Sequence, residues 1–141
     1  MTPDAAAKRY LEFCEKMTPA DLTRLADYCA PEIRFRDPFN EVTGLDNYRR
    51  VLSKMFEDIG QPDFTVDGHA LDGDLCYLRW RLAFLRSKGQ RVTIPGMSEI
   101  LFGPDGRALR HFDYWDAGRV YEMVPLLRGL IHLVRRRLSI D

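Results

Sequence analysis

Apolar residues in the first part of the chain recur at helical spacing. Ala7, Tyr10, Leu11 and Cys14 fall at positions i, i+3, i+4 and i+7, and charged residues occupy most positions between them. This pattern predicts an amphipathic helix over residues 4–17.

Two further helices are predicted from residues typical of helix ends. Thr18, Pro19 and Asp21 match an N-cap, a proline at the first helical position and an acid three residues after the cap. The helix that begins there is expected to end at Pro31 and to bury Leu22, Leu25, Ala26 and Cys29. A third helix, capped by Thr43 and ended by Gly60 and Pro62, is expected to turn six residues inward: Leu45, Tyr48, Leu52, Met55, Phe56 and Ile59.

Elsewhere, apolar and polar positions alternate, as is typical of strands. Ile33, Phe35 and Asp37 alternate with charged residues and predict a short strand. Four longer strand-like runs follow, at 64–71, 75–86, 92–102 and 108–114, separated by Asp72-Gly73, Lys88-Gly89 and Asp105-Gly106. Strands joined by short turns pair antiparallel, so the chain is predicted to be an α+β protein with helices packed on one side of a meander.

Length and composition favour a single soluble domain over residues 1–141, with a core at about 4–117 and an amphipathic helical extension at 118–141. The chain has 141 residues and a formal net charge of zero, which gives no global electrostatic case for nucleic acid. It has no signal-peptide pattern and no apolar stretch of the ~20 residues that a membrane span needs. Cys14, Cys29 and Cys76 lack a C-x-x-C spacing and are expected to be reduced core residues of a cytoplasmic protein.

Two distant segments carry a resemblance to a known superfamily. Asp37-Pro38-Phe39 precedes Gly44 and a helix, and Phe102, Asp105-Gly106-Arg107 and Tyr114-Trp115 belong to the last strands. With the order of the elements, these residues resemble the nuclear transport factor and ketosteroid isomerase superfamily over about residues 4–117, and its SnoaL-like polyketide cyclase-type domains. The resemblance implies a cone-shaped, curved antiparallel sheet wrapped by three N-terminal helices around a small apolar ligand.

The same resemblance implies roles for individual residues. Asp37 matches the place of a catalytic base and Tyr10 that of an oxyanion tyrosine, whereas Ser98 stands where ketosteroid isomerase has a protonated acid. A serine is a weaker donor, so steroid isomerisation is not expected. Polyketide cyclases and some hydrolases of this fold look similar in placing a catalytic Asp or His on the late strands, which suggests Asp113 and His111 as a second acid–base pair.

Strand parity predicts which side chains face the ligand. If Phe35 and Asp37 point inward, so do His111, Asp113 and Trp115 in the last strand. The predicted ligand pocket consists of Phe35, Phe39, Tyr48, Leu52, Trp80, Phe84, Ser98 and Trp115. The opposite face of the sheet is expected to form a homodimer. The histidines lie in separate elements, so we expect no metal site, and no motif calls for a cofactor.

Three functions stay open at the level of the sequence. One is an acid–base isomerase, dehydratase or cyclase acting on an apolar carbonyl compound, and a second is a binding module without chemistry. The third is docking to a membrane surface or partner through the basic C-terminal helix, with Arg128, Arg135, Arg136 and Arg137 beside an apolar stripe. For that helix, packing over the mouth of the cone or over the sheet edge, with its arginines in water, is the favoured expectation.

Overall fold

Two layers make up the part of the chain that the computed structural model describes, residues 1–140. Helices α1 (Pro3–Lys16) and α2 (Leu45–Ile59) and a 3-10 helix (Pro19–Asp27) pack against a six-stranded sheet. The α+β class predicted from the sequence is therefore confirmed. Among residues 1–140, no helix is both long and apolar enough to cross a membrane.

The sheet is open and mixed. Its strands are β1 (Cys29–Arg36), β2 (Glu41–Thr43), β3 (Asp63–Asp72), β4 (Leu75–Leu85), β5 (Arg91–Phe102) and β6 (Ala108–Trp115). The spatial order is β2-β1-β6-β5-β4-β3, and the predicted meander from β3 to β6 is antiparallel throughout. The pairing of β1 with β6 is parallel, whereas a purely antiparallel sheet was expected. The sequence gives no local sign of this pairing, because the chain returns to β1 only after six intervening elements.

The second predicted helix has the correct start and the wrong end. Thr18 and Asp21 form the expected capping box, with the Thr18 N–H donating to Asp21 Oδ2 over 2.8 Å. The helix is of the 3-10 type and stops at Asp27, so Cys29 and Pro31 belong to β1. Pro31 has no backbone N–H to donate to a neighbouring strand. It is tolerated there because the β1–β6 register shifts between Cys29 and Arg34, which interrupts the regular hydrogen bonds of the pair.

The start of α2 also differs from the prediction. Thr43 lies in the short strand β2 and does not cap the helix; Gly44 occupies the cap position with φ of 96°. A positive φ suits glycine, and the Gly44 N–H donates to the Ile33 carbonyl over 2.8 Å, which fixes α2 against β1. The β1–β2 hairpin was not predicted, since three residues are too few to show an alternating pattern.

Strand parity is confirmed by the burial of alternate residues. In β4 and β5 the residues predicted to face inward are buried or partly buried, and the outward ones are mostly exposed. On the outer face, Phe112 is an exception, since the guanidinium carbons of Arg36 and Arg110 lie 4.1 and 5.1 Å from its ring centroid. Tyr77, Met97 and Tyr114 are exposed on this face, and the homodimer expected there stays a prediction.

The C-terminal extension is broken by Pro125, as predicted. A short helix, α3 (Gly118–Tyr121), precedes α4 (Pro125–Leu138), which begins at that proline. The guanidinium of Arg135 joins α4 to the domain through Asp116 Oδ2 at 2.9 Å and Glu122 Oε1 at 3.1 Å. The apolar residues of α4 are largely exposed, so the expectation that this helix packs over the mouth of the cone or the sheet edge is wrong.

The three cysteines lie in or beside the core with free thiols. Cys29 and Cys76 are fully buried and Cys14 is partly exposed. Burial disfavours the charged thiolate, which raises the pKa of Cys29 to about 12 and that of Cys76 to about 11.

These raised pKa values predict a loss of stability at alkaline pH. The unfolded thiols ionise near pH ~8.5 while the folded ones stay protonated, so the folded state binds more protons and the free energy of unfolding falls as pH rises from there. Each thiol contributes a slope of about 1.4 kcal/mol per pH unit within its window. Urea unfolding at a series of pH values should give a flatter slope for Cys76→Ala than for the wild type; equal slopes would contradict the assignment.

Gly96 in β5 lies under the indole ring of Trp80. A Cβ at this position would overlap the ring, whereas a Cβ at Gly68 in β3 would meet nothing within 4 Å. The absence of a side chain at Gly96 therefore lets Trp80 lie flat on its neighbouring strand.

We expect Gly96→Ala to destabilise the protein by about 1–3 kcal/mol, because the rigid ring and the backbone must move apart. Chemical denaturation measures this change, and Gly68→Ala is the matched strand control, expected to have little effect. A Gly96→Ala variant as stable as the control would show that the Trp80 ring is free to shift.

Candidate functional site

A cavity of about 880 Å³ lies between the helices and the inner face of the sheet. Seven residues of the predicted pocket are on its wall: Phe35, Phe39, Tyr48, Leu52, Trp80, Phe84 and Trp115. The sequence did not single out further apolar wall residues such as Met55, Phe56, Phe64, Leu82 and Ile94 as pocket residues. They were foreseeable in part, because Met55 and Phe56 share the inward face of α2 and Leu82 and Ile94 share the inward parity of their strands.

A chain of polar side chains runs from α1 to β6 at this cavity. The Tyr10 hydroxyl lies 2.7 Å from His111 Nδ1, and His111 Nε2 lies 2.7 Å from Asp113 Oδ1. Tyr10 is fully buried behind the histidine, whereas His111 and Asp113 reach the cavity wall. Their side chains are 10% and 20% exposed, so Asp113 is the more accessible end of the chain.

Ser98 and Trp80 extend the chain beyond Asp113. The Ser98 hydroxyl donates to Asp113 Oδ1 in a short hydrogen bond, and the Trp80 indole N–H donates to Ser98 Oγ over 2.8 Å. Ser98 lies directly opposite Asp113 in the β5–β6 register. Ser98, predicted as a pocket residue, therefore lies behind the wall and contacts Asp113 rather than the cavity.

The direction of each hydrogen bond follows from the donors available. Burial raises the pKa of Tyr10 well above its usual value, so the phenol stays protonated. Its O–H group therefore donates the hydrogen bond to His111 Nδ1. With Nδ1 accepting, His111 carries its proton on Nε2 and donates it to Asp113. Tyr48 also has a raised pKa, and its hydroxyl lies 3.5 Å from both Tyr10 and His111, at the limit of hydrogen bonding.

Two hydrogen bonds hold the Asp113 carboxylate, and both end on Oδ1. Oδ2 accepts no hydrogen bond from residues 1–140, and it is not fully enclosed by protein. One carboxylate oxygen is thus held by two donors and the other is free at an apolar cavity. This is the geometry of a positioned base that can take a proton from a bound molecule.

Asp37 has a different environment from the one predicted. It follows the end of β1 and lies beside the cavity, but its Oδ1 accepts the backbone N–H groups of Phe39 and Asn40 over 2.8 and 2.7 Å. The Asn40 amide donates to both of its oxygens, at 3.1 and 3.3 Å. These contacts form the turn that leads from β1 to β2, and they favour a structural role for Asp37.

The site therefore brings together three of the four predicted catalytic residues: Tyr10, His111 and Asp113. Asp37 stands apart from this network. Within the described residues, no group of three or more His, Cys, Asp or Glu side chains is placed to hold a metal ion.

Comparison with known proteins identifies the fold family. A family model for the SnoaL-like domain matches residues 8–126. No curated protein matches the chain.

Solved structures share the fold at low sequence identity. A protein of Jannaschia sp. CCS1, provisionally named a SnoaL-like polyketide cyclase, is similar with a TM-score of 0.73 and 14% identity, over 84% of this chain and 90% of that one. AclR of Streptomyces galilaeus, provisionally named a hydroxylase, has a TM-score of 0.68 and 17% identity, over 95% and 92%. An NTF2-like protein of unknown function from Burkholderia pseudomallei K96243 has a TM-score of 0.73 and 14% identity, over 87% and 97%. These likenesses establish the fold alone.

The hydroxyl of Tyr10 is expected to stabilise the folded protein through His111. Tyr10→Phe removes the hydroxyl that donates to His111 Nδ1 and leaves this buried nitrogen without its hydrogen bond. We expect the free energy of unfolding to fall by about 1–3 kcal/mol. Tyr77→Phe, which removes an exposed hydroxyl, is the control and should change it by less than ~0.5 kcal/mol. Nitrogen NMR of the His111 ring, recorded on the same variants, should show the Nε2–H tautomer in the wild type. An unchanged unfolding free energy would mean that the Tyr48 hydroxyl takes over the bond.

Proposed function

Since the chain belongs to the SnoaL-like domain family, we propose that it binds a small apolar carbonyl compound and moves a proton on it, using Asp113 as the base. The observation that carries this proposal is the carboxylate of Asp113 at the cavity wall, with Oδ1 held by His111 and Ser98 and Oδ2 free. A purely structural carboxylate in an apolar setting is expected to use both of its oxygens, as Asp37 does.

The walls of the cavity support an apolar ligand with a flat body. Phe35 stacks on Tyr48 with ring centroids 4.8 Å apart, and Phe64 lies 5.4 Å from Trp80. Such surfaces bind rings through dispersion and burial rather than through hydrogen bonds. With about 880 Å³ of space, the cavity is within the range of small-molecule sites.

The proposed step is the removal of a proton from a carbon next to the carbonyl group. The C–H bond breaks, an O–H bond forms at Asp113 Oδ2, and the electron pair moves into the substrate as an enolate. Return of the proton to a different atom of the substrate restores the carboxylate and yields an isomer. His111 and Ser98 fix Oδ1 throughout, so the free oxygen keeps its direction toward the cavity.

The names of similar structures do not point to one reaction. One is provisionally named a polyketide cyclase and another a hydroxylase. The reaction type and substrate proposed for this chain rest on its own Asp113 site.

Hydrogen–deuterium exchange tests the proposal without knowledge of the natural substrate. A panel of cyclic ketones is incubated with the protein in D₂O, and the loss of α-proton signals is followed by NMR. We expect exchange of at least one member to fall by about 10²–10⁴-fold in Asp113→Asn, because general base catalysis contributes that much. Asp37→Asn should lose less than about tenfold, since Asn can keep the turn.

Binding must be measured beside exchange. Trp80 and Trp115, the two tryptophans of the chain, both line the cavity, so their fluorescence reports ligand occupancy. Asp113→Asn should bind the exchanged ketone about as well as the wild type does. Binding without exchange by the wild type would favour the non-catalytic module, and a loss confined to Asp37→Asn would return the base role to Asp37.

A further inference from the structure

The C-terminal helix α4 presents apolar side chains to solvent along most of its length. Leu126 is 91% exposed, Leu130 56%, Leu133 62% and Leu138 79%. Leu126, Leu130 and Leu133 recur every three or four residues and so share one face. Exposing such a row in water is unfavourable, since fully burying one leucine stabilises a protein by about 1.5–3 kcal/mol.

The charge of this segment is uniform. Between Met123 and Ile140 there are four arginines and no acidic residue, so the segment carries a formal charge of +4 while the whole chain is neutral. Arg135 forms ion pairs with Asp116 and Glu122. Arg128, Arg136 and Arg137 form no ion pair with residues 1–140 and are exposed.

The exposed apolar surface continues from α4 toward the mouth of the cavity. Val124 and Tyr121, which precede the helix, are 44% and 40% exposed. Phe39 is 51% exposed, and its ring centroid lies 5.9 Å from that of Tyr121 and 5.4 Å from that of Trp115 on the cavity wall. Phe39 thus connects Tyr121, at the start of the C-terminal extension, with Trp115 on the cavity wall, and exposed apolar side chains occur both there and along α4.

We propose that α4 docks on an anionic lipid surface, with its leucines in the acyl boundary and its free arginines on the headgroups. A helix of fourteen residues is about 21 Å long and lies along the surface rather than across it. Arg137 falls between the leucines on the helical wheel, where a long side chain can extend to a phosphate while its stem stays among lipid tails.

Charge argues against a second copy of the chain as the occupant. Two α4 helices packed through their leucines would bury Arg137, which lies on the same face, and α4 offers no carboxylate to pair with it. An acidic protein would satisfy the arginines. However, projecting leucines along a whole helix, without a groove, are more typical of an interfacial helix than of a protein-binding site.

Vesicle co-sedimentation of the full chain tests this proposal. The protein is mixed with vesicles of phosphatidylcholine alone, or with vesicles of equal parts phosphatidylcholine and phosphatidylglycerol. We expect binding to the anionic vesicles that weakens with added salt, and at least tenfold weaker binding to the neutral ones, because each arginine near an anionic surface contributes about fivefold.

Two variants separate the electrostatic and apolar contributions. Arg136→Glu with Arg137→Glu should weaken binding to anionic vesicles by more than tenfold. Leu130→Ser with Leu133→Ser should reduce it as strongly while leaving the charge unchanged. Lys8→Glu with Arg50→Glu, on the exposed surfaces of α1 and α2, makes the same charge change away from α4 and should keep wild-type binding. Circular dichroism checks that each variant is folded.

Several results would overturn the proposal. Equal binding to both kinds of vesicle, no binding to either, or an equal loss in the control pair would each do so. Light scattering that shows a dimer broken by Leu130→Ser with Leu133→Ser would identify a second copy as the occupant instead. Binding to polyglutamate but not to anionic vesicles would identify an acidic protein surface.

Discussion

The charge on Asp113 is the constraint on which the arrangement of the site depends. A carboxylate at the wall of an apolar cavity is stable only when hydrogen bonds replace the water it has lost. Here the donors come from two strands: His111 from β6 itself and Ser98 from β5. His111 is in turn held by Tyr10 from α1, and Ser98 by Trp80 from β4. One charge therefore links a helix and three strands, and moving any of these elements would leave a buried polar group without its partner.

This dependence explains why strand register matters for chemistry. Ser98 can reach Asp113 only because the two residues are directly opposite in the β5–β6 pair. A shift by one residue would turn the side chains of β6 to the outer face and place Tyr114, not Asp113, on the cavity side. The same register sets Gly96 against Trp115 and opposite Trp80, where the missing side chain makes room for the indole.

Much of this could be predicted from the sequence, because it follows from periodicity. Parity alone put His111, Asp113 and Trp115 on one face, and the turns at Gly73, Gly89 and Gly106 gave the order of the meander. The turns did not reveal which residues of β5 and β6 are opposite, so Ser98 was expected on the cavity wall rather than as a partner of Asp113. The link from Tyr10 to His111 spans 101 positions and has no local signal at all.

The predictions that failed lie where local and distant interactions compete. The alternating pattern extended the first strand to Asp37, whereas β1 ends at Arg36. The pattern cannot show that the Asp37 carboxylate accepts the backbone N–H groups of Phe39 and Asn40 and so forms a turn. Pro31 looked like the end of a helix, yet an irregular stretch of β1 accommodates it.

The comparison of Asp37 with Asp113 shows how a general physical rule separates two similar residues. Both are aspartates beside aromatic rings at the same cavity, and sequence context gave Asp37 the stronger claim to a base. Hydrogen bonds distinguish them: the oxygens of Asp37 are both occupied by groups within three positions of it, which close a turn. The donors to Asp113 include Ser98 from a neighbouring strand and all meet on one oxygen. The donors to Asp37 occupy both of its oxygens, whereas the two donors to Asp113 meet on Oδ1 and leave Oδ2 available. For this reason the proton chemistry of the cavity is assigned to Asp113.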